Sequence, residues 1–335
     1  MIVLAGPTAS GKTDLAASLA LRLNGEIVSA DSRQVYRFLD AATAKPSRAL
    51  REKMPHHLID VADPSEVYDA ARFAREASAA IAGVRLRGKI AIVCGGTGLY
   101  LRALTEGLSP LPPSEAGVRA RLTALAEQEG RPALHARLAK ADPKAAAAIP
   151  AGNLQRVVRA LEVLELTGRP LSAHWAEGRT GGQAPDAVLR LDLPNEILTE
   201  RIETRARAMW PALLAEVRAL VPARFSGDEP GFTSLGYRGA LAVLRDESSS
   251  EEGLAAMIRA TTAYAKRQRT WFRTQLPAAA PWPRDERRTR RSRTRSPRWK
   301  NHEPPRHARA PGARPFGRRR AEVPERAHSL KPGRT

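Results

Sequence analysis

Four consecutive apolar residues, Ile2-Val3-Leu4-Ala5, stand almost at the start of the chain and read as a buried strand. Lys12–Leu23 follows, with Leu15, Leu19 and Leu23 at helical spacing. A second strand is predicted over 26–30 and a helix over 69–84. A third strand spans 89–94, apolar at every position after the lysine, and another helix begins at Leu99. Unbroken apolar strands separated by helices predict a parallel sheet covered on both faces.

From Leu111 to about Trp175 the strand pattern vanishes. Helices are predicted over 114–129, 131–141 and 154–167, punctuated by Gly130, Pro143, Pro150 and Gly168. The last is amphipathic. Leu154, Val157, Val158, Leu161 and Leu164 share one face, with Gln155, Arg156, Arg159 and Glu162 on the other. Strand character returns over 188–193, and Asn195–Leu220 and 252–273 read as helices. After about Leu276 periodicity is lost to Pro, Arg, Ala and Gly, which predicts disorder from about Pro281.

Charge sharpens this division. The net charge is +20, and 18 basic against 5 acidic residues in 281–335 hold +13 of it, leaving the body at +7. Excess positive charge fits a polyanionic partner, nucleic acid first, although +7 also serves solubility. A single cysteine, Cys94, excludes an internal disulfide framework and a thiolate-rich zinc site and fits a reducing cytosol. No apolar run approaches the ~20 residues of a membrane helix, and no secretory signal is read at the N-terminus. The expectation is a cytoplasmic protein without membrane contact.

Gly6-Pro7-Thr8-Ala9-Ser10-Gly11-Lys12-Thr13 matches G-x-x-x-x-G-K-[ST] between a strand and a helix. Glycines let the backbone amides point inward, the helix N-terminus adds partial positive charge, Lys12 supplies a cation, and the Thr13 hydroxyl can reach Mg²⁺. The plainer alternative is a glycine turn. The predicted fold is therefore α/β: a P-loop NTPase-like parallel sheet, an all-helical insertion and a basic tail. The expected boundaries are 1–111 and 179–278 for the two parts of the core, 112–178 for the insertion and 279–335 for the tail. A phosphate loop specifies a polyphosphate or diphosphate, not a reaction. A nucleotide-hydrolysing enzyme also wants a carboxylate after a buried strand, but 90–94 ends in Gly95-Gly96-Thr97-Gly98.

In a doubly wound sheet, ligands lie beyond the carboxyl ends of the strands. Asp31, in Ser29-Ala30-Asp31-Ser32-Arg33-Gln34-Val35-Tyr36, emerges at that edge, as does Thr97. A carboxylate beside a phosphate site binds metal or takes a proton, so Asp31 is a candidate general base. The alternative for each is a helix cap, a reading with less weight at Asp31 than at Thr97.

These segments resemble the tRNA dimethylallyltransferase family. So do Thr43-Ala44-Lys45-Pro46, Pro55-His56-His57-Leu58-Ile59-Asp60, Glu106-Gly107-Leu108, Gln155-Arg156-Val157-Val158-Arg159 and Leu235-Gly236-Tyr237-Arg238, with Ala265-Lys266-Arg267-Gln268 and Thr270-Trp271-Phe272-Arg273. The set runs in family order over about residues 2 to 275. The resemblance implies transfer of a dimethylallyl group from dimethylallyl diphosphate to the N6 amino group of adenosine 37, 3′ to the anticodon, in tRNAs reading codons that begin with U. Asp31 would accept the amino proton and Thr97 would support the diphosphate leaving group. The loop from Gly6 to Thr13 would hold the diphosphate, with Mg²⁺ at Thr13. Asp31, Ser32, Arg33, Gln34, Thr97, Arg119, Gln155, Arg156, Val157, Val158, Arg159, Arg238, Lys266, Arg267, Gln268 and Arg273 would touch the tRNA anticodon arm. The chain is expected to act as a monomer.

Three rivals stand beside it: an adenylate isopentenyltransferase, a P-loop kinase or NTPase, and a non-catalytic RNA-binding protein. The helical insertion, the missing carboxylate and the phosphate loop speak against them in turn. The adjacent His56 and His57 point different ways and read as structural. Two departures from the family pattern remain. Trp210-Pro211-Ala212 follows Met209 where the family carries a glycine, which predicts disturbed helix geometry. The segment after Leu276 matches nothing in the family; an RNA-binding arm and a frameshifted end both remain open.

Overall fold

Six strands form one parallel sheet: β1 (Ile2–Ala5), β2 (Gly25–Ser29), β3 (His56–His57), β4 (Ile90–Gly95), β5 (Ala187–Leu191) and β6 (Ala280–Trp282). Their spatial order is β3-β2-β4-β1-β5-β6. The computed structural model describes residues 1–221, 223–276 and, as backbone, 280–282. β6 pairs with β5 from Leu189↔Ala280 to Leu191↔Trp282. This corrects the expected start of the tail at 279–281, since residues 280–282 continue the sheet. The remainder of the expected tail, 283–335, lies outside the described residues.

Strand alternation assigns each apolar side chain to a face. Val3 and Ala5 of β1, Val28 of β2 and Ala91 and Val93 of β4 join a core with Phe73, Ala77, Ile81 and Val84 of α3 (Ala70–Leu86). Leu101 and Leu104 of α4 (Gly98–Thr105) complete this layer. Leu4, Ile27 and Ile92 face the opposite way, onto Ala16, Ala17 and Ala20 of α1 (Lys12–Leu23). Both faces are therefore dry, which is why these strands read as continuous apolar runs.

Between Leu108 and Thr180 the chain leaves the sheet. An antiparallel bridge joins these two residues, with hydrogen bonds of 3.1 and 3.0 Å. The intervening segment holds α5 (Ala116–Glu129), α6 (Arg131–Ala141), α7 (Pro143–Ala148), α8 (Leu154–Thr167) and α9 (Leu171–Ala176). Leu122, Leu134, Leu138, Ile149, Val157, Val158 and Leu161 build a core of their own there. Gly130 ends α5 at φ 90°, and Pro at the start of α6 and of α7 restarts the helix.

Glu162 departs from the expected polar face of α8, for it is fully buried. Its carboxylate accepts from Ser114 Oγ (3.0 Å), Glu115 N (2.7 Å), Arg119 Nε (3.2 Å) and Arg159 (2.7 Å). Burial pushes its pKa up, but these partners outweigh burial and hold it below the ordinary value. The amphipathic pattern cannot show this, because a buried carboxylate with full hydrogen bonding looks polar in sequence.

α10 (Asn195–Leu220), α11 (Tyr237–Leu244) and α12 (Ser250–Gln275) pack together beside the sheet. α10 runs unbroken through Pro211, against the expected disturbance. Trp210 is buried against the sheet core and donates Nε1–H to Ser250 Oγ at 2.9 Å, so tertiary packing overrides the local preference. α2 (Arg48–Lys53) lies with β3 at the sheet edge. There Glu26 is buried and takes Arg87, Lys89 and His57, while His56 bonds the Met54 carbonyl. Both histidines are thus held by structural partners.

Candidate active site

The loops after β1, β2 and β4, three adjacent strands, meet at the carboxyl edge of the sheet. The sheet ladder runs on into them. Ala30 N–H donates to Cys94 O at 2.9 Å and Thr97 N–H to Ala30 O at 3.2 Å. Gly95 is required by this approach, since a Cβ there would lie 2.1 Å from the Ala30 carbonyl oxygen.

The phosphate loop curls with Ala9 at φ 60° and Gly11 at φ 81°. Left-handed backbone at alanine costs roughly 1–2 kcal/mol, so the surroundings must hold it. Gly6, Pro7 and Ser10 form the buried underside. Lys12 Nζ donates to the Pro7 carbonyl at 2.6 Å. Gly11 caps α1 without a side chain, leaving its first amides for another acceptor. Burial lowers the Lys12 ammonium from its ordinary value, with Cys94 and Asp31 pulling it back up.

Above the loop lies a cavity of about 760 Å³. Thr8, Lys12, Thr13, Asp31, Arg33 and Arg205 line its polar side, with Ala9, Gly11, Gln34, Arg267 and Gln268. Ile202, Ala206, Met209, Leu235 and Met257 supply apolar surface. Asp31 Oδ1 accepts from the backbone amides of Arg33 (2.8 Å) and Gln34 (3.4 Å), capping a turn rather than a helix. Thr97 does stand at the N-terminus of α4, yet its hydroxyl makes no capping bond. Oγ1 instead accepts from Ser32 N at 2.9 Å and lies 3.3 Å from Ser32 Oγ. Tyr264 stands on the cavity wall, and burial pushes the pKa of its phenol up.

The remaining sequence-selected residues divide. Arg33 reaches Thr233 Oγ1 at 2.9 Å. Gln34 spends its carboxamide internally, on Ser29 Oγ and the Thr43 and Ala44 carbonyls. Arg156, Lys266 and Arg267 come together with Arg102 and Trp271 around a second, basic groove between α4, α8 and α12. Gln155 is exposed on α8 and Arg238 at the start of α11. Arg119 and Arg159 pair with buried Glu162, and Arg273 with Asp192. Val157 and Val158 are corrected: their side chains are buried in the insertion core and present nothing to a ligand. Gln268 lines the cavity but is only 7% exposed, with its carboxamide bonded to Thr8 and Gly96.

Sequence reasoning missed Arg205, Tyr264, Met209 and Met257. Arg205 shares helical spacing with Ile202 and Met209 of α10, but an exposed arginine is ordinary on a helix surface, and only the fold shows that it lines the cavity. Among the described residues no cluster of three His, Cys, Asp or Glu could hold a metal. No helix among them is long and apolar enough to cross a membrane.

The IPP transferase family model matches residues 34–275, ending on the last residue of α12. The chain belongs to the IPP transferase family. Relatives agree with this membership. A tRNA dimethylallyltransferase of Anaeromyxobacter dehalogenans is 49% identical over 276 residues, 82% of this chain and 92% of that protein. One from Halorhodospira halophila is 48% identical over 82% of this chain and 90% of its own. The crystal structure of a tRNA isopentenylpyrophosphate transferase from Bacillus halodurans is 34% identical, with a TM-score of 0.61 over 88% of this chain and 94% of that one. A eukaryotic dimethylallyltransferase solved acting on tRNA is 31% identical, with a TM-score of 0.68 over 81% and 69%. As an IPP transferase family member, the chain matches these relatives through both the sheet and the helical segment, since each covers four-fifths of it or more.

Proposed function

We propose that this chain transfers a dimethylallyl group from dimethylallyl diphosphate to tRNA. The acceptor is the N6 amino group of the adenosine 3′ to the anticodon, position 37, in tRNAs reading codons that begin with U, and diphosphate leaves. The observation that carries this reading is one cavity that joins a phosphate loop to the Asp31 carboxylate and to apolar surface. A diphosphate, a proton acceptor and a place for an isoprenoid are needed together only if the phosphate departs from carbon. The absence of a carboxylate after β4 argues against hydrolysis of a nucleotide.

The chemistry follows from the residues. The adenine nitrogen forms a bond to the allylic carbon as the carbon–oxygen bond to diphosphate breaks, and the oxygen keeps the electron pair. Asp31 receives the proton from the amino group, its Oδ1 fixed by two backbone amides. Lys12, Arg205 and the loop amides stabilise charge developing on the diphosphate. Apolar Met209, Leu235 and Met257 exclude water from the allylic cation. Mg²⁺ suits the donor set, since it takes few protein ligands and several phosphate oxygens. Thr13 would hold it, and it would neutralise charge on the leaving group.

The acceptor base lies in a stacked loop and must be flipped out, at a cost of a few kcal/mol. The basic groove of Arg102, Arg156, Lys266 and Arg267 would bind flanking phosphates of the anticodon arm and offset that cost. The chain would act as a monomer in the cytoplasm.

The test is direct. The protein is incubated with Mg²⁺, labelled dimethylallyl diphosphate and either unmodified tRNA or AMP. Label in tRNA is expected. Label in AMP alone would replace this reading with adenylate prenylation.

A further inference from the structure

One side chain joins three parts of the site. Gln268, on α12, accepts a hydrogen bond from the Thr8 backbone amide at 2.9 Å through Oε1. It donates from Nε2 to the Gly96 carbonyl at 2.7 Å. Thr8 belongs to the phosphate loop after β1, and Gly96 to the loop after β4 that carries Thr97. The three residues are far apart in sequence, yet one buried carboxamide spans them. The fit is close: a Cβ on Gly96 would lie 2.4 Å from Gln268 Nε2.

We propose that Gln268 is a positioning residue that sets the shape of the diphosphate cradle, rather than a contact for RNA. The proposal rests on the prenyl-transfer reading above. Its chemistry is specific. The site needs an acceptor facing an N–H and a donor facing a C=O, on one rigid plane. A carboxamide offers both, and at Gln268 each is used. Glutamate has the same shape but sets an oxygen against the Gly96 carbonyl and adds negative charge beside the phosphate loop. Methionine fills similar space but leaves both backbone groups buried and unpaired.

A consequence follows for the loop. The Thr8 amide is already committed to Gln268, so diphosphate is held by the amides after it, from Ala9 to Thr13. The latch also fixes where those amides point, because it ties the loop to the opposite wall. Gln268 therefore acts through Thr8 on the donor substrate and leaves the acceptor untouched.

The test uses the full chain and its Gln268→Glu and Gln268→Met variants. Steady-state transfer to unmodified tRNA gives KM for dimethylallyl diphosphate and kcat, and a filter assay gives tRNA affinity. We expect KM for the diphosphate to rise at least about tenfold, as loss of a buried hydrogen bond warrants, with tRNA affinity unchanged. A loss of tRNA affinity at constant KM would make Gln268 an RNA contact and overturn the inference. So would wild-type kinetics in both variants. Amide hydrogen exchange on the unaltered protein gives a reading independent of either variant's folding: Thr8 N–H is expected to be protected without substrate, and rapid exchange there overturns the latch. If the unaltered protein transfers nothing to tRNA, the prenyl-transfer reading fails instead, while calorimetry of diphosphate binding and Thr8 exchange still report on the latch.

Discussion

The Thr97 hydroxyl accepts the Ser32 backbone N–H at 2.9 Å, cross-linking the β2 and β4 loops one residue from Asp31. The bond passes between segments 65 residues apart and fixes the turn in which Asp31 is held. Thr97→Val keeps the shape and removes the acceptor. We expect kcat to fall by about tenfold, in line with a lost hydrogen bond of about 1–1.5 kcal/mol, while Thr97→Ser retains most activity. Equal activity in the valine and serine variants would show that the bond does not matter for turnover.

Asp31→Asn removes the proton acceptor but keeps the turn's hydrogen bonds within reach. Turnover is expected to fall by about 10²–10⁴-fold, with tRNA affinity within a factor of about three. Comparable loss in both measurements would give Asp31 a binding role in place of a chemical one.

Neutralising Arg156 and Lys266 together tests the groove between α8 and α12. Each RNA phosphate that is no longer neutralised should flatten the slope of log affinity against log salt by about one. The effect should be uniform across tRNA sequences, because phosphate contacts carry no base information. An unchanged slope would remove the groove from the RNA path.

Glu26 predicts a pH dependence of stability. Hydrogen bonds from Arg87, opposed by burial and reinforced by His57 and Lys89, hold its pKa down to about 2. A carboxylate depressed on folding stabilises fully above its unfolded value and loses that contribution as pH falls toward the folded one. The unaltered protein should therefore lose stability between about pH 4.5 and 2, at the unfolded and folded values of this group. Glu26→Gln should be less stable at pH 7, by about 3 kcal/mol for a broken buried pair, and show a shallower acid slope in denaturant titrations.

Glu162→Ala should strike the insertion alone. It strands Arg159 and Arg119 and empties a buried site, costing about 3–5 kcal/mol. Hydrogen exchange is expected to accelerate across α5–α8 and remain slow in β1 and β4. Uniform acceleration over the whole chain would show that the helical segment and the sheet unfold as one.

What the sequence disclosed follows physical length scales. Lys12–Leu23, Leu154–Thr167 and Asn195–Leu220 repeat their period often enough to be read to the residue, and Ile2–Ala5 stands out as an unbroken apolar run. β3, α2, α7 and α9 are too short to establish one, and β6 depends on a partner strand over 80 residues away. At the site, the phosphate loop is local and was legible. Arg205, Tyr264 and the Gln268 bridge come from α10 and α12, so only folding brings them to it. Val157, Val158 and Glu162 show the converse limit: α8 places exposed and core-facing residues side by side, and only burial in the fold separates them.

The Leu108–Thr180 rung has a consequence for how such proteins diversify. Because the chain departs and returns at adjoining points, the span from 109 to 179 closes on itself. An arm of another length, or one shaped for a different RNA, can be grafted at that neck without shifting the register of a single strand beneath the catalytic pocket.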